Sequence, residues 1–144
     1  KSNYGSPLKG DTDIYAFPTP RQLSTATEDE LKDLKLGYRA RYVKETADMF
    51  VSQDDHSLSK DTAKAREQLE NYMGVGTKVA DCVLLYGCGY WDVVPVDTWI
   101  ESAVKEYYPE LHSDSNTEIA RNFESLFGEY AGFAQAYLFH YTRT

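Results

Sequence analysis

The chain has only two cysteines, five prolines and no long apolar run, and its 15 Lys and Arg are outnumbered by 23 Asp and Glu. Each shortage excludes something. Two cysteines cannot furnish a four-cysteine zinc or iron–sulfur site. With Cys82 in a helix-forming run and Cys88 in a glycine-flanked turn, a disulfide would need unusual geometry, so free thiols are expected. No stretch approaches the length needed to cross a membrane. The first residues, KSNYGSPLKG, lack the apolar segment of a secretory signal, which points to an intracellular protein. Period-two alternation is almost missing, so strands are not expected. The net charge of −8 weighs against a polyanionic partner, because affinity for phosphates comes largely from Lys and Arg. Distribution softens that objection: Arg39, Arg41, Lys44 and Lys78 stand apart from acids concentrated at 27–33, 54–61 and 106–118.

What is present is a series of helix-forming segments. At 144 residues, 42% hydrophobic and 26% charged, the chain is long enough for one domain with a core and too short for two. Residues 1–13 mix Gly, Pro, Ser and charge without periodicity and read as an extended or mobile lead-in. Thr19-Pro20 starts a short helix through Leu23. The capping box Thr27-Glu28-Asp29-Glu30 starts another, with Leu31 and Leu34 inward and a stop near Gly37. Tyr38 to Gln53 follows, with Tyr42, Val43, Ala47, Phe50 and Val51 as its apolar stripe. A polar loop containing a solvated His56 leads to a charged helix over 58–69. A helix from Thr98 to Tyr108 opens with Asp97 as N-cap. The segment 117–127 is amphipathic through Ile119, Phe123, Leu126 and Phe127, and 130–141 is the last helix. About seven helices in this order predict an all-α fold.

The densest stretch is YMGVGTKVADCVLLYGCGYWDVVPVDTW, from Tyr72 to Trp99. Gly74 and Gly76 flank one Val, so the backbone can take positive φ and approach another backbone closely. Thr77 then opens an apolar helix whose positive end favours an anion at the turn. Lys78, Cys82 and Tyr86 fall at i, i+4 and i+8, which puts an amine, a thiol and a phenol on one face. Burial there favours the uncharged amine, a nucleophile; spacing alone favours instead a lysine that snorkels to solvent. Asp97 reads first as a helix cap, which leaves the same carboxylate free to act chemically.

Gly-Val-Gly-x-Lys-Val-Ala-Asp-Cys followed by Pro-Val-Asp, with LGYRARYV at 36–43 and GEYAGFAQAYLF at 128–139, resembles the 8-oxoguanine DNA glycosylase family. That family belongs to the helix-hairpin-helix, Gly/Pro-Asp DNA glycosylases, and the likeness covers most of the chain. It implies the C-terminal part of a catalytic domain: a partial all-α domain over 1–144, its hairpin and Gly/Pro-Asp loop at 69–99, without its first helices and an N-terminal β-rich domain. It further implies excision of oxidised purine from duplex DNA followed by β-elimination. In that reaction Lys78 forms a Schiff base, Asp97 stabilises the cationic sugar, and no cofactor is needed. Cys82 and Phe139 would sandwich the flipped base, Gln135 would read its Watson–Crick edge, and Tyr86 shares the face of Cys82. DNA contacts fall to Tyr38 as a wedge, Arg39 on the orphaned cytosine, Gly74 and Gly76 of the hairpin, and Trp99, where relatives commonly carry His near a phosphate. The backbone carbonyls of Glu70, Tyr72 and Val75 match positions that hold a monovalent cation, although Tyr72-Met73 stands where the family often has Leu-Pro. The implied protein is a monomer when complete and works inside the cell with the DNA, without a membrane partner. Two rivals stay open: a lyase for other lesions or abasic sites, and a non-catalytic DNA-binding fragment.

Overall fold

The structure, a computed structural model, describes residues 2–9 and 13–143. Its α-helices are α1 (Pro20–Leu23), α2 (Glu28–Leu31), α3 (Arg39–Ser52), α4 (Thr62–Glu70), α5 (Thr77–Cys88), α6 (Thr98–Tyr107), α7 (Asn116–Phe127) and α8 (Ala131–Tyr141). Short 3₁₀ turns at Pro109–Leu111 and Gly128–Tyr130 precede α7 and α8. The all-α class read from the sequence holds. The residues group into two compact units, one up to Ser57 together with Tyr72–Gly74, the other Leu58–Asn71 together with Val75 onward.

The first unit is built on two capping boxes. Thr19 and Gln22 cap α1 reciprocally, and Thr27 and Glu30 do the same for α2, so two single-turn helices are held by their ends rather than by length. Leu31, Ala26 and Ala40 form its core, with Tyr4, Leu36 and Val43 packed against them. Leu34 does not point inward as expected and is 43% exposed. A π-turn at Lys32–Leu36, with Lys35 at φ 66°, rotates the register after Leu31 and turns Leu34 out. On α3 the inward residues are Ala40 and Ala47, whereas Val51 lies outside. The lead-in is more structured than its composition implied: the Leu8 N–H donates to the Ile14 carbonyl and the Ala16 N–H to the Ser6 carbonyl, each at 2.9 Å. Residue 1 and residues 10–12 of that lead-in lie outside the described residues.

Gly74 belongs to this unit and is a glycine for two reasons. Its φ is +78°, and a Cβ there would sit 2.4 Å from Cδ2 of the Tyr42 ring. The Thr46 hydroxyl donates to the Met73 carbonyl and the Tyr72 hydroxyl to Gln53, so the turn is tied to α3 and its end. His56, expected to be merely solvated, stacks on Phe50 with ring centres 3.6 Å apart.

The second unit holds the other five helices. Val94, Val96, Ile100, Val104, Ile119, Phe123 and Ala131 form one buried cluster, which draws on α6, α7, α8 and the loop before α6. A smaller cluster of Ala65, Leu84 and Val93 seats α4 against α5. The helix expected from residue 58 begins only at Thr62, because Asp61 caps it by accepting the Lys64 N–H at 2.9 Å. Of the four residues expected on the inner face of α7, Ile119, Phe123 and Phe127 pack there, whereas Leu126 is 54% exposed. Gly132 lets α8 lie directly on the loop before α6: its N–H donates to the Trp91 carbonyl at 2.9 Å, and a Cβ would come within 2.5 Å of the Val93 carbonyl oxygen.

Candidate active site

The helix α5 begins without a side-chain cap. Gly76 is its N-cap at φ −99°, and a Cβ there would meet nothing within 4 Å. The positive φ expected of both hairpin glycines is therefore found at Gly74 alone. Thr77 is the first helical residue, and its hydroxyl donates to Glu70 at 2.7 Å instead of capping. No side chain caps the first N–H groups of α5, at the positive end of a three-turn helix, an arrangement that suits an anion.

Lys78 stands one residue further on. Its side chain is half exposed, with Nζ 4.0 Å from Asp97 Oδ2. The desolvated amine expected at this position is not what the structure holds. In the first turn of α5 half of the lysine side chain stays open to solvent. The Asp97 carboxylate is divided in its work. Oδ1 accepts the Trp99 and Ile100 N–H groups at 3.1 and 3.0 Å, capping α6, while Oδ2 is the oxygen turned to Lys78. Capping and facing the amine are compatible because they use different oxygens.

One turn after Lys78 lies a residue that the sequence motif includes but to which no role was given. Asp81 is 5% exposed, and its Oδ1 is 2.6 Å from Nε of Arg66 on α4. Burial pushes the Asp81 carboxyl up, and Arg66 pulls it back only in part. The signal was available: a charged residue on the buried register of an apolar helix requires a partner. Lys78, Arg66 and Asp81 border a groove of about 610 Å³ that Glu70 and Glu124 also line. Burial likewise raises Glu124, helped by the nearby negative charge of Asp92. Charges of both signs make this groove an extension of the ion pair rather than a slot for a flat base, and Cys82, Gln135 and Phe139 are not among its walls.

The residues assigned to the base lie on α5 and α8. Gln135 is 4% exposed, and its Oε1 is 3.5 Å from the Tyr86 hydroxyl, a long contact. Burial raises the Tyr86 phenol, with Cys82 and Asp97 adding to the effect. Cys82 and Phe139 are both half-buried, and neither cysteine is in a disulfide. Phe139 packs against the main cluster on one side, so a core role accounts for part of its surface. Trp99 is 57% exposed. The guanidinium of Arg143, which sequence reasoning did not single out, lies over both the Trp99 and Phe139 rings.

The remaining expected residues belong to the first unit or the turn. Tyr38 is 67% exposed, with the Arg39 guanidinium 4.6 Å from its ring centre. The local basic face expected around them is largely neutralised on α3 itself: Arg41 pairs with Glu45 and Lys44 with Asp48, both at 2.6 Å. Glu70 ends α4, Tyr72 holds Gln53, and Val75 is half-buried before the N-cap of α5.

Comparisons with known proteins agree with this architecture. A "Probable N-glycosylase/DNA lyase" of Methanothermobacter thermautotrophicus is 34% identical over 94% of this chain and 50% of its own length. An N-glycosylase/DNA lyase of Saccharomyces cerevisiae is also 34% identical, over 96% of this chain and 47% of its own. The solved structure of Clostridium acetobutylicum 8-oxoguanine glycosylase/lyase with double-stranded DNA containing cytosine opposite 8-oxoguanine superposes with a TM-score of 0.85 at 35% identity, over 99% of this chain and 50% of that one. The chain spans about half the length of the relatives it matches. With residues 2–129 matching the model of the HhH-GPD superfamily of base excision DNA repair proteins, and with α4, the Gly-Val-Gly turn, α5 and the capped Asp97 in their order, the chain belongs to that superfamily.

Proposed function

We propose that this chain carries the lyase centre of a base-excision DNA glycosylase acting on oxidised purine, 8-oxoguanine, in duplex DNA. The observation that supports it above the others is the pairing of Lys78 Nζ with Asp97 Oδ2 at 4.0 Å while Oδ1 stays committed to the α6 cap. An amine at that place can attack C1′ of the sugar. The carbon–nitrogen bond to the base breaks and the base leaves with the electron pair; the C1′–O4′ bond then opens, O4′ taking up a proton as Nζ loses one, to give a Schiff base, from which loss of a C2′ proton expels the 3′ phosphate by β-elimination. Lys78 must first lose a proton. Asp97 Oδ2, 4.0 Å from Nζ, or a water beside it is placed to take that proton. The Asp97 charge also opposes the positive charge that develops on the sugar.

The flipped base would rest against Cys82 and Phe139, with Gln135 on its edge and Tyr86 beside it. The uncapped start of α5 at Gly76 would take a backbone phosphate, with Gly74 shaping the turn before it, and Tyr38, Arg39 and Trp99 would complete the DNA contacts. The hard carbonyl oxygens of Glu70, Tyr72 and Val75 are the donors we assign to a monovalent cation at the turn. The half-length match supports a partial domain, with its β-rich part and first helices lying in sequence beyond these 144 residues, and a place of work wherever the cell keeps its DNA.

A second reading, duplex binding without excision, draws support from the exposure of Lys78. Borohydride trapping separates the two. The chain is mixed with an 8-oxoguanine duplex and with a duplex carrying a preformed abasic site, then reduced. A covalent adduct with both, lost in Lys78→Gln, is expected. An adduct with the abasic duplex alone would limit the centre to lyase chemistry, and no adduct while the duplex is bound would leave only the binding role.

A further inference from the structure

Arg143 lies two residues beyond the end of α8, with its guanidinium carbon 5.3 Å from the Phe139 ring centre and 5.9 Å from that of Trp99. Ring faces attract a guanidinium through their quadrupole, but they neither cancel its charge nor occupy the N–H groups that point outward in its plane. The other cations around this centre are differently placed. Lys78 faces Asp97 at 4.0 Å, and Arg66 is locked to Asp81 at 2.6 Å. Arg143 is thus a cation fixed by aromatic platforms and still able to present a two-pronged donor, which matches the oxygens of a phosphate diester. The platform faces outward, since Trp99 is 57% exposed in the first turn of α6. An indole offers one N–H and no charge, so Trp99 suits the support of a cation better than the binding of a phosphate by itself.

We infer that Arg143 is a phosphate-binding residue for duplex DNA, held edge-outward by Trp99 and Phe139 and gripping the backbone beside the nucleotide extruded toward Phe139. The inference rests on the repair function proposed above. It also accounts for how a protein of net charge −8, whose Arg41 and Lys44 are ion-paired, retains a local grip on DNA.

The test compares the 144-residue chain with Arg143→Ala and Arg143→Lys, reading fluorescence anisotropy on an 8-oxoguanine duplex across a salt series. Arg143→Ala should bind several-fold more weakly at low salt, with a log–log salt slope shallower by roughly 0.9, the value for one lost phosphate contact. Arg143→Lys should keep the slope while binding less tightly than the parent, because it keeps the charge and loses the fork. Thermal unfolding should be the same in all three. A parent that binds while Arg143→Ala matches it in affinity and slope overturns the assignment of Arg143 and leaves the repair reading standing. A parent that binds no duplex overturns the repair reading, and Arg143 with it.

Discussion

Gly132→Ala is the sharpest test of how α8 meets the loop that delivers Asp97. The added methyl would sit 2.5 Å from Leu85 Cδ1, 2.5 Å from the Val93 carbonyl oxygen and 2.8 Å from that of Trp91. A leucine methyl can rotate away, but two carbonyl oxygens can move only with their backbone, and the Gly132 N–H pins that backbone through its bond to Trp91. Overpacking of this kind costs about 1–3 kcal/mol, against a gain of roughly 0.5–1 kcal/mol from alanine's higher helix propensity. A net loss of about 1 kcal/mol corresponds to a fall in Tm on the order of 4 °C for a chain of this size. Urea and thermal unfolding followed by far-ultraviolet circular dichroism would measure it. Gly87→Ala supplies the control, because that glycine lies within α5 and a Cβ there meets nothing within 4 Å. It should gain up to about 1 kcal/mol. If Gly132→Ala proved as stable as the parent, α8 would not lie on the 91–93 backbone as described, and the placement of Gln135 and Phe139 would fall with it.

Replacing Arg66 by Met leaves Asp81 buried without its partner and should cost about 3 kcal/mol near pH 7 in urea unfolding. Because burial already raises the folded-state pKa of Asp81 above its unfolded value, its ionisation costs stability as pH rises through the folded pKa. The penalty in Arg66→Met should accordingly shrink on acidification, and a penalty independent of pH would refute an ionised Asp81 as its source. Asp97→Asn keeps the carbonyl oxygen that caps α6 and should leave stability nearly unchanged, whereas Asp97→Ala should lose about 1 kcal/mol. Both should abolish borohydride trapping through Lys78, and retention of trapping in Asp97→Asn would remove the carboxylate's charge from the chemistry.

Sequence patterns that act over a few residues were legible in advance. The helix start at Thr19-Pro20, the capping box at Thr27, Asp97 as the cap of α6 and the glycine stop near Gly37 all depend on contacts within one turn, so the residue types imply the geometry; that Thr19 and Gln22 also form a capping box came only with the structure. The order of helices and the family motifs were legible for the same reason. Leu34 and Leu126 were misplaced because a helical stripe assumes a regular helix and a neighbour on the expected side. The π-turn at Lys32–Leu36 broke the first assumption, and on α7 the neighbours lie over Ile119, Phe123 and Phe127 but leave Leu126 at the open edge of the stripe.

The sequence by itself therefore determined the all-α class, the caps at Thr19, Thr27 and Asp97, and the presence of Lys78 and Asp97 in the motif. Only tertiary structure decided what surrounds them: that Lys78 is half exposed, that Asp97 divides its two oxygens between α6 and Lys78, that Asp81 draws Arg66 into a partly buried pair, and that Arg143 rests on two rings. The physical reason is range. Capping and propensity act between neighbours a few residues apart, whereas the pairings of Arg66 with Asp81, Lys78 with Asp97 and Arg143 with Trp99 join residues 15, 19 and 44 positions apart that meet only once the helices have packed.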